Sequence, residues 1–153
     1  MNRIEIRQAQ LEDMDNLVAL FDEYRMFYGR DSDSESAREF LTHRLSRGES
    51  VVLLAFMAEA AVGFTQLYPS FSSVSLARTY ILNDLFVRKN ARRNGIARAL
   101  IEAAQACAIN VGAIRLTLST AVDNDIAQAA YDATGWQRDK DFLVYHWSVN
   151  QPA

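Results

Sequence analysis

Four cations crowd one short turn, Arg88-Lys89-Asn90-Ala91-Arg92-Arg93-Asn94-Gly95. Directly after it Ile96, Leu100, Ile101, Ala104 and Ala108 recur at helical spacing, so a helix begins near Gly95. A helix start offers backbone N–H groups without intrahelical partners and a partial positive charge. Gly95 lets a ligand approach that backbone, and Arg92, Arg93 and Arg98 add cationic side chains. Such a place suits an anion, most naturally a pyrophosphate. The alternative is a solvated basic turn of the kind that follows many strands. Neither familiar nucleotide loop is present, since there is no Gly-x-Gly-x-x-Gly and no Gly-Lys-Ser/Thr behind a glycine-rich loop.

Other residues could handle protons and an amine. Asn124 and Tyr131 lie seven positions apart, about two helical turns, and so share one face. A phenol there could protonate a leaving group. Equally, Asn124 could simply cap its helix and Tyr131 pack beside Trp136. Tyr24, Phe27 and Tyr28 are followed by Asp31, Asp33 and Glu35. Aromatic rings with carboxylates suit a cationic amine, although a core stripe followed by a cap-rich loop gives the same pattern. Asn83-Asp84 interrupts an otherwise apolar strand, and plain alternation would point Asp84 to the face opposite Asn83. His43 and His146 stand alone, and Cys107 sits among alanines as a packing residue. No Cys/His set has metal-ligand spacing, and no serine occupies a nucleophile elbow.

The elements that must hold these residues follow from apolar periodicity. Ile4 and Ile6 open with a strand. From Leu11 a helix runs through Met14, Leu17, Val18 and Phe21 to a stop at Gly29. Arg30 to Ser36 reads as a loop, with Ser32/Glu35 or Ser36/Glu39 as a capping box for a second helix ending near Gly48. Val51 to Met57 and Ala61 to Tyr68 form a hairpin about Glu59-Ala60, closed by Pro69. Tyr80 to Val87 is the central strand, and Ala113 to Thr120 a further one. Asp123-Asn124 starts a helix that Gly135 closes, and Phe142 to Val149 makes the last strand. The class is α/β, with a mixed sheet covered by helices on both faces.

The 153 residues suit a single domain spanning 1–153. A net charge of −3 gives no basic footprint for nucleic acid. One cysteine excludes an internal disulfide and fits a reducing compartment. Charges interrupt Met1-Asn2-Arg3-Ile4-Glu5 at once, unlike a signal peptide, and the longest apolar run, Val51 to Ala58, is too short to span a bilayer. The expectation is a soluble cytoplasmic protein with no nucleic-acid or membrane partner.

Arg92-Arg93-Asn94-Gly95-Ile96-Ala97 resembles the Arg/Gln-x-x-Gly-x-Gly/Ala signature of the GNAT superfamily of N-acetyltransferases, and Leu82 to Val87 resembles that family's central strand. Arg93 departs from the glycine that many members carry. The order strand, two helices, three strands, helix, strand, helix, strand pair matches as well. The resemblance implies a mixed, mostly antiparallel sheet with helices on both faces. It implies that the loop from Arg92 through Arg98 (Arg93, Asn94, Gly95, Ile96 and Ala97 between) cradles the pyrophosphate of acetyl-coenzyme A. Leu85, Phe86 and Val87 would pair with the pantetheine arm, and Asn124 would contact the coenzyme. Tyr131 would protonate the departing thiolate. Tyr24, Phe27, Tyr28 and Asn83 would line the acceptor site. No metal is implied.

Several relatives carry glutamate at the position of Asn83, where it is proposed to deprotonate the amine, and an amide cannot act as a base, so the base is unassigned. The implied activity is direct acetyl transfer to a primary amine of a small molecule or peptide, closest to diamine-acetyltransferase-like members. A reading from another class is a catalytically silent acyl-coenzyme A sensor or interaction module, which Asn83 favours and Tyr131 opposes. A homodimer is left open.

Overall fold

The computed structural model describes residues 3–150. Apolar residues, alternating with polar ones in β1 and continuous in β2, build β1 (Ile4–Gln8), β2 (Val51–Met57), β3 (Ala60–Ser72) and β4 (Ala77–Val87), with a short β5 (Leu116–Thr117). The sheet order is β1-β2-β3-β4-β5. The first four strands pair antiparallel, and β5 joins β4 in parallel. Helices α1 (Met14–Phe27), α2 (Ser34–Ser46), α3 (Ile96–Asn110) and α4 (Asp125–Ala133) and two 3-10 turns, Leu11–Asp13 and Lys89–Ala91, complete the described elements.

Helices cover both faces, as periodicity predicts. On one side Leu17, Leu20 and Phe21 of α1 and Leu41 of α2 meet Val52, Leu54 and Phe64 of the sheet. On the other, Ile96, Leu100 and Ala104 of α3 meet Leu53, Leu67 and Leu82. Burying each large aliphatic or aromatic side chain stabilises the fold by about 1.5–3 kcal/mol. Gly63 marks the tightest approach, because a Cβ there would meet the Phe86 carbonyl at 2.8 Å. Any side chain at 63 would push β4 away from β3.

Four expectations change. Pro69 does not end β3, which continues to Ser72. The β2 ladder reaches only Leu67, so beyond it β3 is an edge on that side, where a missing N–H costs nothing. The cap of α2 is Asp33, which accepts from Ser36 N at 3.1 Å, and neither serine capping box forms. The strand expected over 113–120 shrinks to two residues, since β5 touches β4 only at Tyr80 and Ile81. Finally, Phe142 to Val149 is extended but belongs to no sheet, because no strand among the described residues lies beside it.

The decisive irregularity is in β4. Gln66 pairs with Asp84 and Leu67 with Leu82, so Asn83 has no partner and forms a bulge. Leu82 lies in the α3-side core, whereas Phe86, four residues on, lies in the α1-side core. Strict alternation would have kept both on one face. The extra residue turns Asp84 over to the α1 side.

Candidate active site

The bulge puts a carboxyl group where the sequence seemed to place none. Asp84 is 3% exposed and receives hydrogen bonds from three side chains. Gln66 Nε2 donates to Oδ2, while Asn83 Nδ2 (2.8 Å) and the Tyr24 hydroxyl (3.2 Å) donate to Oδ1. Thr65 Oγ1 holds the Asp84 carbonyl at 2.8 Å. Burial lifts the Asp84 carboxyl above the usual carboxylate range, and the three donors pull it only partly back. Burial and the nearby Asp84 push the Tyr24 and Tyr68 phenols far up, so both stay protonated. Asp84, Gln66 and Tyr68 were not among the expected site residues. Their one sequence signal is the polar Thr65-Gln66 pair inside an apolar strand, facing the polar interruption at Asn83-Asp84.

Tyr24 is the hinge of an aromatic wall. Its ring meets Tyr28 at 5.1 Å, Phe64 at 5.6 Å and Phe86 at 6.1 Å, and Phe27 meets Tyr28 at 5.3 Å. Phe27 and Tyr28 are 62% and 65% exposed, so the wall opens to solvent at the end of α1. A cation already sits on it, for the Arg92 guanidinium lies 5.5 Å from the Phe27 ring centre and 5.9 Å from that of Phe86. The three expected acceptor aromatics and Asn83 thus come together around Asp84. The acidic loop does not join them, because Asp33 caps α2. Asp22 organises that loop by accepting from Ser32 Oγ at 2.6 Å and Asp33 N at 2.8 Å.

On the neighbouring side the backbone is open. After Ile81 the strands β4 and β5 part, and from Leu82 to Val87 the β4 edge has no neighbour there among the described residues. The side chains of Phe86 and Val87 are buried in the two cores, so only their peptide groups can face a ligand. This edge runs into the turn and the start of α3. Gly95 is the N-cap with φ +77°, and no side chain caps the helix. Among the described residues the N–H groups of Arg93, Asn94 and Gly95 have no protein acceptor. A Cβ on Gly95 would meet nothing within 4 Å, so open space lies over this backbone.

The predicted loop residues divide by role. Asn94 Nδ2 holds the turn by donating to the carbonyls of Ala91 (2.9 Å) and Arg92 (3.2 Å). Arg92 turns back, its Nε donating to the Val87 carbonyl at 3.0 Å. Arg98 pairs with Glu102 at 2.8 Å on the exposed face of α3. Ile96 is core, so it offers only its amide, and Ala97 follows it partly buried. Arg93 is exposed, at φ +66°.

Asn124 Oδ1 accepts from Ala127 N at 3.1 Å and so caps α4. Any ligand contact falls to its amide nitrogen. Tyr131, half-buried on α4, packs against Trp136 at 5.8 Å between ring centres. Burial, aided by the nearby Tyr28 phenol, raises its hydroxyl and keeps the proton on. Among the described residues no group of His, Cys, Asp or Glu is placed to hold a metal ion, and no helix is long and apolar enough to cross a membrane.

Comparison with known proteins gives this geometry a context. The family model described as "Acetyltransferase (GNAT) family" matches residues 17–136. The chain is 45% identical over 148 residues to the uncharacterized N-acetyltransferase YhfO of Bacillus subtilis (strain 168), covering 97% of this chain and 98% of that one. It is also 45% identical to a probable acetyltransferase of known crystal structure, with a TM-score of 0.91 and coverage of 97% and 99%. An aminoglycoside N-acetyltransferase, AAC(6')-Iy, solved in complex with CoA, shares the fold at a TM-score of 0.79 and 19% identity, covering 96% of each chain.

Proposed function

The chain is an acetyltransferase of the GNAT family, and from that premise we propose that it moves the acetyl group of acetyl-coenzyme A directly to a primary amine on a small cationic molecule. One observation carries the coenzyme half. An open β4 edge leads to an uncapped helix start at Gly95, so a thioester substrate could lie along peptide groups with its pyrophosphate on the α3 amides. The aromatic wall around Asp84 supports a cationic acceptor.

The reaction needs one proton taken and one given. An ammonium group must lose a proton before its nitrogen can attack. Tyr24 receives that proton on its oxygen while passing its own to Asp84, 3.2 Å away. The raised affinity of Asp84 for a proton, caused by its burial, suits it to this role. The nitrogen lone pair then bonds to the thioester carbonyl carbon, the C–S bond breaks, and Tyr131 gives its proton to the sulfur. The second nitrogen proton leaves to solvent as the amide forms, Asp84 releases its proton to solvent, and solvent reprotonates Tyr131. Asn83 fixes the Asp84 carboxylate, a positioning role in place of the base that glutamate supplies in relatives.

Steady-state kinetics on a panel of diamines, amino sugars and peptides tests this reading. Tyr131→Phe keeps the ring that packs on Trp136 and deletes the proton donor. On the best amine its kcat should fall about a hundred- to ten-thousandfold, with coenzyme affinity unchanged. Wild-type protein that binds acetyl-coenzyme A tightly yet acetylates nothing would return the silent-sensor reading.

A further inference from the structure

Tyr68 stands beside the acceptor wall with no task in the transfer itself. Along β3, Phe64, Gln66 and Tyr68 are two positions apart and so share one face, the α1 side that holds Asp84. Opposite Tyr68 on β4 is Ile81. Its neighbours Tyr80 and Leu82 belong to the α3-side core, so Ile81 faces the α1 side, where it is 40% exposed. The donors to Asp84 are Gln66, Asn83 and Tyr24, and the half-buried Tyr68 hydroxyl finds no protein partner among the described residues. Since the β2 ladder stops at Leu67, no strand closes over the edge of β3 at Tyr68.

The second half of α2 brings a cation to the same place. Phe40 and Arg44 lie one turn apart on the flank of α2 next to the buried Leu41. The Phe40 ring stacks on Phe21 at 6.0 Å, and Phe21 meets Tyr24 at 6.1 Å, so this flank adjoins the acceptor wall. The Arg44 guanidinium carbon lies 4.7 Å from the Phe40 ring centre. Its Nε donates to Glu49 at 3.1 Å, which leaves both Nη groups without a protein acceptor among the described residues. Burial raises the Tyr68 phenol, the charge of Asp84 raises it further, and the charge of Arg44 draws it back. The hydroxyl is therefore within electrostatic reach of a carboxyl on one side and a guanidinium on the other.

We propose that the acceptor site runs from Asp84 over Tyr68 to Arg44 and takes an ω-amino carboxylate, its amine at Asp84 and Tyr24 and its carboxylate on the Arg44 Nη groups and the Tyr68 hydroxyl. Which nitrogen reacts rests on the acetyl-transfer reading. A planar carboxylate fits a guanidinium through two parallel N–H bonds, which a methyl end cannot make and a neutral amide makes more weakly. The order of charges also fixes direction, since a ligand bound backwards would set its carboxylate against Asp84. Length excludes the α-amine of an amino acid. The step from Gln66 to Tyr68 alone covers about 7 Å of strand, whereas an α-amine and its carboxylate share one carbon. The reacting nitrogen is thus the far one, with the methylenes between lying on Ile81 and the Tyr68 ring. A diamino acid meets the same terms and keeps a net positive charge.

Three probes of matched length test the subsite: ε-aminocaproate, its carboxamide and hexylamine. Calorimetric titration of the full chain, with and without coenzyme A, reads binding independently of turnover. Wild type should bind the carboxylate about tenfold more tightly than the carboxamide, the worth of a hydrogen bond to a charged group, and hexylamine more weakly still. Arg44→Gln, with circular dichroism unchanged, should bring carboxylate and carboxamide to equal affinity. Tyr68→Phe should shrink the preference a few-fold. Glu49→Gln, which leaves Arg44 its whole charge, should widen it. Equal binding of the first two probes by wild type, binding of none, or a preference that survives Arg44→Gln would overturn the subsite. Initial rates with acetyl-coenzyme A then separate the two readings. Hexylamine acetylated as efficiently as ε-aminocaproate would sink the subsite and keep the transfer. Arg44-dependent binding of a carboxylate that is never acetylated would keep the subsite and sink the transfer.

Discussion

The two sides of the candidate site are built from different materials. The proposed coenzyme side is backbone, comprising the open edge of β4 and the peptide groups from Arg93 through the first turn of α3. The acceptor side is side chain, comprising Tyr24, Phe27, Tyr28 and Asp84 with Gln66 and Asn83 behind it. A backbone site depends on where the chain can go, so it tolerates most side-chain changes and fails at glycine. A side-chain site depends on particular atoms and on the groups that hold them, so it fails by deletion of a single oxygen.

The largest effect should come from the side-chain half. Asp84→Asn should lower kcat about a hundred- to ten-thousandfold, and adding Tyr24→Phe should cost little more, because the two act as one relay. The acid limb of the pH–rate profile, set by the raised Asp84 carboxyl, should vanish in the variant. Stability should move the other way. A carboxyl whose folded pKa is raised stabilises the fold below its unfolded pKa and loses that contribution as pH rises through the folded one. The neutral variant should therefore melt above wild type at pH 8, and the gain should disappear as pH falls below the unfolded carboxyl's range, where Asp84 is protonated in both states. Gln66 can accommodate the change by an amide flip, since its buried Oε1 lacks a partner. Equal loss of coenzyme affinity in Asp84→Asn would break the division between the two halves.

The backbone half should respond next. Gly95→Asp adds a Cβ at φ +77° and a negative charge over the open amides. Acetyl-coenzyme A at a hundred times its Kd should stabilise wild type by about 2.7 kcal/mol through mass action, and this variant should lose that shift in a thermal melt. Retention of the shift would remove the helix start from the coenzyme site.

The smallest effect belongs to Arg93→Gly. Arg93 holds a left-handed φ of +66°, where a side chain costs roughly 1–2 kcal/mol, while glycine loses more entropy on folding. The two nearly cancel, so denaturant melts should show stability unchanged or raised by less than about 1 kcal/mol. Coenzyme Kd should change only a few-fold, since an exposed cation is lost but the amides remain. A large loss of affinity would show that this side chain, rather than the backbone, binds the phosphates.

Much of the architecture was legible because its signals are local. Period-two alternation marked β1, runs of branched and aromatic residues marked β2 to β4, period-3.6 runs marked α1 to α3, and Gly95 at the junction of turn and helix marked the proposed coenzyme loop. Asn124 and Gly135 bracketed α4 as read. The aromatic cluster of Tyr24, Phe27 and Tyr28 was visible as an excess over what a core stripe needs. The proposed base, Asp84, was not visible, because alternation assumes an unbroken pleat and the bulge at Asn83 breaks it.

The sequence by itself determined the elements of the main sheet, the glycine-led turn and the face shared by Asn124 and Tyr131, since each depends on residues a few positions apart. Tertiary structure alone decided that Asp84 faces Tyr24 across 60 positions, that Arg92 turns onto Phe27 and Phe86, and that Asp33 is a cap. It also decided that the apolar period from Phe142 to Val149, strand-like as it reads, pairs with no strand among the described residues. The physical reason is common to all four. Periodicity and residue type fix what a segment can become, but a bulge, a long-range hydrogen bond or a missing sheet neighbour is set by where distant segments meet.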